Sequence, residues 1–382
     1  MNYSSFFVIF FVSTFFSCHT VDNKALQNTE KYKISDLKIL ASEGHVAEGG
    51  LARLPNGNIL VLYRKDPSFS HVSNSGEIMG KLSEDNGNSW GDEFAVYNSK
   101  YDDRNLVVGQ LASGEVIVVF RRYDDQRQKT IDAGYIKSKN GLDWGNYKPI
   151  RNTEGVFNQP FGTIGQSGKT NSFLIAFENG VIKKYHSNDN FVVNLSEKTI
   201  IHAPDKNLQE PFEVLLDNNQ SIILCRNGKG DLGEPSFFQF SSKNGVDYKY
   251  DGPTNIFDDF EYSVRSPISL TYSESDKILE VMGNSRYLYQ TSKNEKNSIR
   301  IYTQSAKAVL KDSKAYDLST SIARPIPSDH WFYGYPKSID LTRDKRLYII
   351  SDAKIHDPEK QGSHIKNEDA DLFYFTVSLK KE

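Results

Sequence analysis

Cysteine is almost missing from this chain. Two occur in 382 residues, Cys18 and Cys225, so a disulfide-built scaffold is excluded and stability has to come from a packed core. Methionine is also scarce, at three. Neither sign of charge is in excess: 46 Lys and Arg stand against 49 Asp and Glu, a formal net charge of −3. That balance leaves no electrostatic footprint for nucleic acid. Beyond the N-terminus no apolar run is long enough to span a bilayer. There is no His-x-x-x-His, cysteine pair or EF-hand loop, so no metal site is assigned and no cofactor is expected. A Ca²⁺ held by scattered carboxylates and carbonyls would leave no motif. What the chain does have is Tyr and Phe, 21 and 23 of them, a balance that favours strands over helices.

The N-terminus has a character of its own. Phe6 to Phe16 is almost wholly apolar and is followed by Ser17-Cys18. The run is too short for a membrane helix and reads as a signal-peptide core. A small residue before Cys resembles a bacterial lipoprotein cleavage site, with Phe15 where Leu is usual. The resemblance implies a signal peptide over 1–17, a lipidated Cys18, and a polar tether over 18–33. The protein would then be exported and anchored, not spanning, and would face the periplasm or the cell surface. An ordinary secreted protein is the alternative. With Cys18 lipidated, Cys225 is the only thiol left.

A turn motif recurs along the rest. It reads Ser83-Glu84-Asp85-Asn86-Gly87-Asn88-Ser89-Trp90, then Ser138-Lys139-Asn140-Gly141-Leu142-Asp143-Trp144, then Ser242-Lys243-Asn244-Gly245-Val246-Asp247-Tyr248. A vestige stands at Ser187-Asn188-Asp189-Asn190-Phe191. A period near 50 residues marks a repeat architecture. Between these turns a second pattern repeats, two β-runs around a Gly/Asn/Asp turn. Its copies are Leu51 to Arg64, Asn105 to Arg122, Phe161 to Glu178, Pro211 to Arg226, Ser266 to Arg286 and Pro336 to Asp352. In the first, Glu77 to Leu82 adds a third strand that leads into the Ser83 turn, and a fourth follows. The predicted fold is all-β: a six-bladed β-propeller with four-stranded antiparallel blades, one domain over 34–382. Ile34 to Ser42 is expected to close the last blade onto the first, and Asp371 to Leu379 to form the last strand. A β-sandwich or β-helix is the alternative, but the period is too long for a β-helix coil.

The Ser-x-Asp-x-Gly-x-x-Trp turn resembles the Asp-box (BNR repeat) of sialidases and related propellers. In them it joins the third and fourth strands of a blade. Its Asp caps the turn, its Gly supplies a permissive backbone and its Trp packs between sheets. The box is structural, so Asp85 and Trp90 are not catalytic candidates. Sialidases open their first blade with an Arg-Ile-Pro motif whose Arg clamps the substrate carboxylate. The matching stretch here, Ala47-Glu48-Gly49-Gly50-Leu51, has no Arg. Tyr333-Gly334-Tyr335-Pro336-Lys337-Ser338 resembles the strand that bears the sialidase Tyr, with Tyr335 as the match, although Gly-Tyr-Pro is more typical of divergent relatives. Tyr63-Arg64-Lys65-Asp66, His71-Val72-Ser73 and Asp102-Asp103-Arg104 resemble those relatives too. Several such propellers act on uronic-acid polysaccharides.

Strand direction places the site independently. In a four-stranded meander, starts of first strands and ends of second strands share one end, and blades around an axis bring those ends together. The second strands end at Arg64, Arg121-Arg122, Glu178, Arg226, Arg286 and Asp352. The first strands start near Glu48, Asp103-Arg104, Gln159, Gln209-Glu210, Arg265 and Gly334-Tyr335. Guanidinium forks recurring at one position suit carboxylate or sulfate groups. The expected substrate contacts are Arg64, Asp66, Asp103, Arg104, Arg121, Arg122, Glu210, Arg226, Arg265 and Arg286. His71 and Tyr335 are the acid–base candidates. The expected activity is on acidic oligosaccharides, from uronate or sulfated polymers such as ulvan, by elimination. That chemistry needs a base, a cation to hold the enolate and an acid for the leaving oxygen. Hydrolysis would use a carboxylate pair drawn from Glu48, Asp66, Asp103, Glu178 and Glu210. A glycan-binding propeller without catalysis is the other class. The expected partner is the saccharide alone, with a monomeric protein and membrane contact only through the lipid.

Overall fold

The computed structural model describes residues 32–150, 154–155, 158–192, 195–229, 231–259, 266–284, 298–323, 330–355 and 368–379. The expected leader, Cys18, most of the tether, the stretch 356–367, Arg265 and Arg286 lie outside them. Four sheets of four antiparallel strands follow one another along the chain. Their innermost strands are Asp102–Gln110, Gln159–Ser167, Leu208–Leu215 and Ser269–Ser273. A nine-stranded sheet joins the two ends of the chain. One parallel pair, Ala370 with His45, holds its halves together. On one side of that pair lie His45–Arg53, Ile59–Asp66, Glu77–Ser83 and Phe94–Tyr97. On the other lie His330–Thr342, Lys345–Ile355 and Glu368–Leu379. The expected closing segment is there, as Tyr32–Ile34 and Lys38–Ala41, both antiparallel to Glu368–Leu379.

In every unit but the fifth the second strand holds a short, continuous apolar run, such as Ile59-Leu60-Val61-Leu62-Tyr63 or Val116-Ile117-Val118-Val119-Phe120, buried on both faces. Such a run between turn signals is a core strand. The outer strands are far more exposed, as in Ser196–His202. Apolar clusters fill the spaces between successive units. Leu62, Val108 and Phe120 meet between the first and second; Val119, Phe173 and Phe191 between the second and third; Leu174, Ile223 and Phe240 between the third and fourth. Leu224, Phe257 and Val281 fill the next space, then Ile301 with Tyr348, and Val61 with Ile349 returns to the start. Burying one such side chain contributes about 1.5–3 kcal/mol. The innermost strands touch in turn and close a cycle, the arrangement of a β-propeller.

The box turns sit where the sequence places them, between third and fourth strands. In the first, Asp85 Oδ1 accepts from Ser89 N at 2.8 Å, and Gly87 N donates to Ser83 Oγ at 2.7 Å. Trp90 packs edge-on against Tyr374 of the last unit. Asn140 and Asn244 do the work of Asp in the shortened copies, each accepting from two backbone amides. In the fifth unit a helix, Ala306–Lys311, stands in the box position, and its N-cap Ser305 accepts from Ala308 N. No sequence motif announced it.

Candidate functional site

Each described inner strand but Ser269–Ser273 breaks its ladder near its start. The breaks lie between Ala47 and Gly50, Arg104 and Val107, Phe161 and Gly165, Gln209 and Pro211, and Gly334 and Lys337. Inside them stand Glu48 (φ 58°), Asn105 (57°), Gly162 (93°), Glu210 (45°) and Tyr335 (54°). Left-handed backbone outside glycine costs on the order of 1–3 kcal/mol and persists only where the surroundings over-determine it. Bulges re-aim side chains, and these reach into neighbouring units. Asn105 N donates to Glu48 Oε2. At Gly162 a side chain is excluded on two counts, since its Cβ would also lie 2.9 Å from Pro211 O.

Beside this ring lies a closed ionic knot. Arg64 is 0% exposed. Its Nε donates to Asp102 Oδ1 at 2.7 Å, and its Nη2 to Asp66 Oδ2 at 3.3 Å. Both Nη atoms also reach Ser70 O at 3.3 Å, and Nη1 lies 3.3 Å from His45 Nδ1. Asp66 is filled further by Ser68 and Ser75. Gly76 has no room for a Cβ, which would sit 2.1 Å from Asp102 Oδ1. Arg64 and Asp66 end the second strand as foreseen, but they are buried and engaged by the protein's own groups.

The next unit holds the opposite arrangement. Arg104 and Arg121 are direct cross-strand partners, and like charges so placed repel. Arg104 Nη2 donates to Glu48 Oε1 at 2.9 Å, and its Nη1 to His71 O at 3.1 Å and Asp102 Oδ2 at 3.3 Å. Its Nε is buried without a partner. Arg121, 5% exposed, has neutral partners: Asn105 Oδ1 at 2.6 Å and Thr130 Oγ1 at 3.0 Å. Its guanidinium lies 4.9 Å from the centre of the Tyr123 ring. No described carboxylate pairs with it. Burial, and then the Arg104 charge, push Arg121 down to about 10. Burial works against the Glu48 carboxylate, yet Arg104 and Arg64 outweigh it and hold Glu48 below its usual range.

The remaining candidates divide. Arg122 and Asp103 face each other on the side of the sheet opposite Arg104 and Arg121. Arg122 is paired to Asp132 and stacked on Tyr147, 4.3 Å away. Asp103 accepts from Ser99 N and Oγ at 2.7 and 2.9 Å, and burial raises it to about 7. Neither joins the arginine pair, because alternate residues of a strand point to opposite faces. Glu210 is ion-paired with Arg226. Glu178 is exposed. The His71 ring is 5.1 Å from His45, over the Arg64 knot. Tyr335 is 7% exposed, its ring 5.9 Å from Phe161, and its phenol bears on the Arg104 charge. Asn105, Tyr123 and Lys337 went unrecognised in the sequence. A polar residue just after Arg104, and a Lys just after Tyr335-Pro336, were the only signals. Among the described residues no group of His, Cys, Asp and Glu is arranged to hold a metal.

No protein-family model and no curated protein sequence matches the chain. Solved structures do. A protein of unknown function from Dyadobacter fermentans superposes with a TM-score of 0.67 at 11% identity, over 92% of this chain and 100% of the other. The NanB sialidase of Streptococcus pneumoniae gives 0.63 at 11%, over 90% and 70%. The intramolecular trans-sialidase of Ruminococcus gnavus gives 0.62 at 10%, over 89% and 97%. At such identity the likeness is one of fold: the chain has a sialidase-like β-propeller fold.

Proposed function

We propose that the protein is a carbohydrate-active enzyme that acts on an acidic saccharide by elimination, with the substrate carboxylate gripped by Arg104 and Arg121. The observation that carries this is the arginine pair itself. Two buried guanidinium groups lie directly opposite one another, one with no carboxylate partner among the described residues and the other with an unused Nε. A buried cation of this kind is costly unless paired, and a carboxylate or sulfate oxygen would pair it bidentately. Solved relatives in fold are sialidases, which adds weight to a saccharide as ligand.

In this reading His71 takes the proton from the carbon beside the carboxylate. The arginines hold the charge that moves onto the carboxylate oxygens, and the C–O bond breaks as Tyr335 gives its proton to the leaving oxygen. Arg104 connects the parts, since it holds the His71 carbonyl and feels the Tyr335 phenol. The carboxylate pairs that hydrolysis would use are poorly placed. Glu48 and Glu210 are neutralised by arginines, Asp66 is saturated, Asp103 faces away and Glu178 is exposed. We further propose that the enzyme is exported and held to a membrane through Cys18.

The test is incubation with a panel of uronate oligosaccharides, followed by ultraviolet absorbance of unsaturated uronate and by mass spectrometry. Product masses that sum to the substrate, together with new absorbance, support elimination. A gain of one water means a hydrolase instead. Binding without any product means a glycan-binding propeller.

A further inference from the structure

Lys337 is the one buried amine near the axis that the mechanism above does not use. It is 8% exposed and stands two residues beyond Tyr335 on the same strand. Its Nζ reaches to Gly162 of the third unit and donates to the carbonyl oxygen at 2.8 Å. It also lies over two rings, 4.3 Å from the centre of Phe212 and 5.3 Å from that of Phe161. Phe161 is also the ring against which Tyr335 packs. The ammonium has three donors, and one of them has a hydrogen-bond acceptor here. No described carboxylate is ion-paired with it. Among the described residues Glu210 is the acid whose charge bears on it, and Glu210 is already taken by Arg226. Burial accordingly pushes the amine from 10.5 down to about 7.

A purely structural role explains this poorly. A methionine would fill the same space against two phenyl rings without the cost of burying an amine. Groups that lower stability where a packing residue would serve concentrate at functional sites. The location agrees. Lys337 ends at the level of Gly162, one of the bulge residues. It reaches that ring from the inner strand of the last unit, while Arg104 and Arg121 belong to the second unit.

We propose that Lys337 is a ligand-contacting amine, which grips an anionic or hydroxyl oxygen of the bound saccharide beside the bulge at Gly162. This rests on the acidic-saccharide reading of the site. It adds a second point of recognition beside the arginine pair.

Two measurements test it, and the first needs no turnover. The full chain is treated briefly with an amine-directed acylating reagent across the neutral range, with and without glucuronate or inorganic sulfate, and labelled lysines are mapped by mass spectrometry. Lys337 is expected to react, with its rate rising through neutrality, and to be protected by glucuronate. An unlabelled Lys337 overturns the proposal, because the amine would be sealed in the core. Labelling that neither anion slows overturns it too. The second measurement is Lys337→Met. Its thermal midpoint should rise while its affinity for glucuronate falls by about tenfold or more; unchanged affinity overturns the proposal. If Lys337 is labelled and protected but no uronate oligosaccharide is ever turned over, the amine site stands and the elimination reading falls.

Discussion

Arg64 and Arg121 occupy the same topological position in adjacent units, near the end of the second strand. Both are buried, and both sit within one hydrogen-bonded system that runs through Asp102 and Arg104. Arg64 has two carboxylates, a carbonyl and an imidazole around it. Arg121 has an amide oxygen, a hydroxyl and a ring face. The difference separates two uses of one residue. A guanidinium whose donors are all met inside the protein is part of the frame. One with no paired carboxylate among the described residues is, in the proposed reading, a place for a ligand.

Replacing Arg64 should break that comparison most severely. Arg64→Met leaves Asp66 as an uncompensated buried charge and takes from Asp102 one of its two arginines, and denaturant unfolding should show a loss of about 3–5 kcal/mol. A near-neutral result would mean that the knot is not closed. Arg121→Met should do the reverse. Stability should hold or rise, while affinity for a uronate oligosaccharide drops by about 10- to 100-fold in calorimetric titration. Equal stability losses for the two variants would erase the distinction drawn between them.

Asp103 sharpens the comparison from the far face of the sheet. Its folded pKa, about 7, lies above its ordinary 3.8 because burial opposes the charge. The folded state therefore binds the proton more tightly, and stability should fall as pH rises from about 4 through about 7. Asp103→Asn removes that penalty. Thermal midpoints should show the variant ahead of the parent above neutrality and level with it below about pH 4, with substrate affinity untouched. The smallest effect belongs to Asp85. It is held down at about 2, first by the Ser89 hydroxyl and then by the Ser89 amide. Its contribution is present above the ordinary carboxylate pKa and is lost as pH falls through about 2. Asp85→Ala should lower the thermal midpoint slightly and leave turnover intact; a loss of turnover would mean that the box reaches the site.

Much of the frame was legible. The box turns, the hairpins around Asn56-Gly57 and Ser113-Gly114, and the closing segment near Ile34 all stand where the residues put them. Each is local chemistry: a serine or aspartate satisfying nearby amides, or a glycine taking positive φ. The site was legible only in outline. Arg104, Arg121 and Tyr335 lie on or beside the ring of bulges, and the phenol of Tyr335 bears on Arg104. Arg64, Asp66, Asp103 and Arg122 were named alongside them and are engaged elsewhere. Lys337 was passed over, since nothing in Tyr335-Pro336-Lys337 tells that its amine crosses to Gly162.

The sequence alone determined the repeat, the strand pairs within each unit and which strand ends come together. All of these follow from turn chemistry and apolar runs a few residues long. Tertiary structure decided which of the converging charges are paired inside the protein. The physical reason is phase. A bulge adds a residue to one strand and changes which of its side chains share a face, and five such bulges stand at the ends that form the site. Whether Arg121 or Arg122 stands beside Arg104, and whether Arg64 finds Asp102, depends on that phase and on contacts between units far apart in the chain.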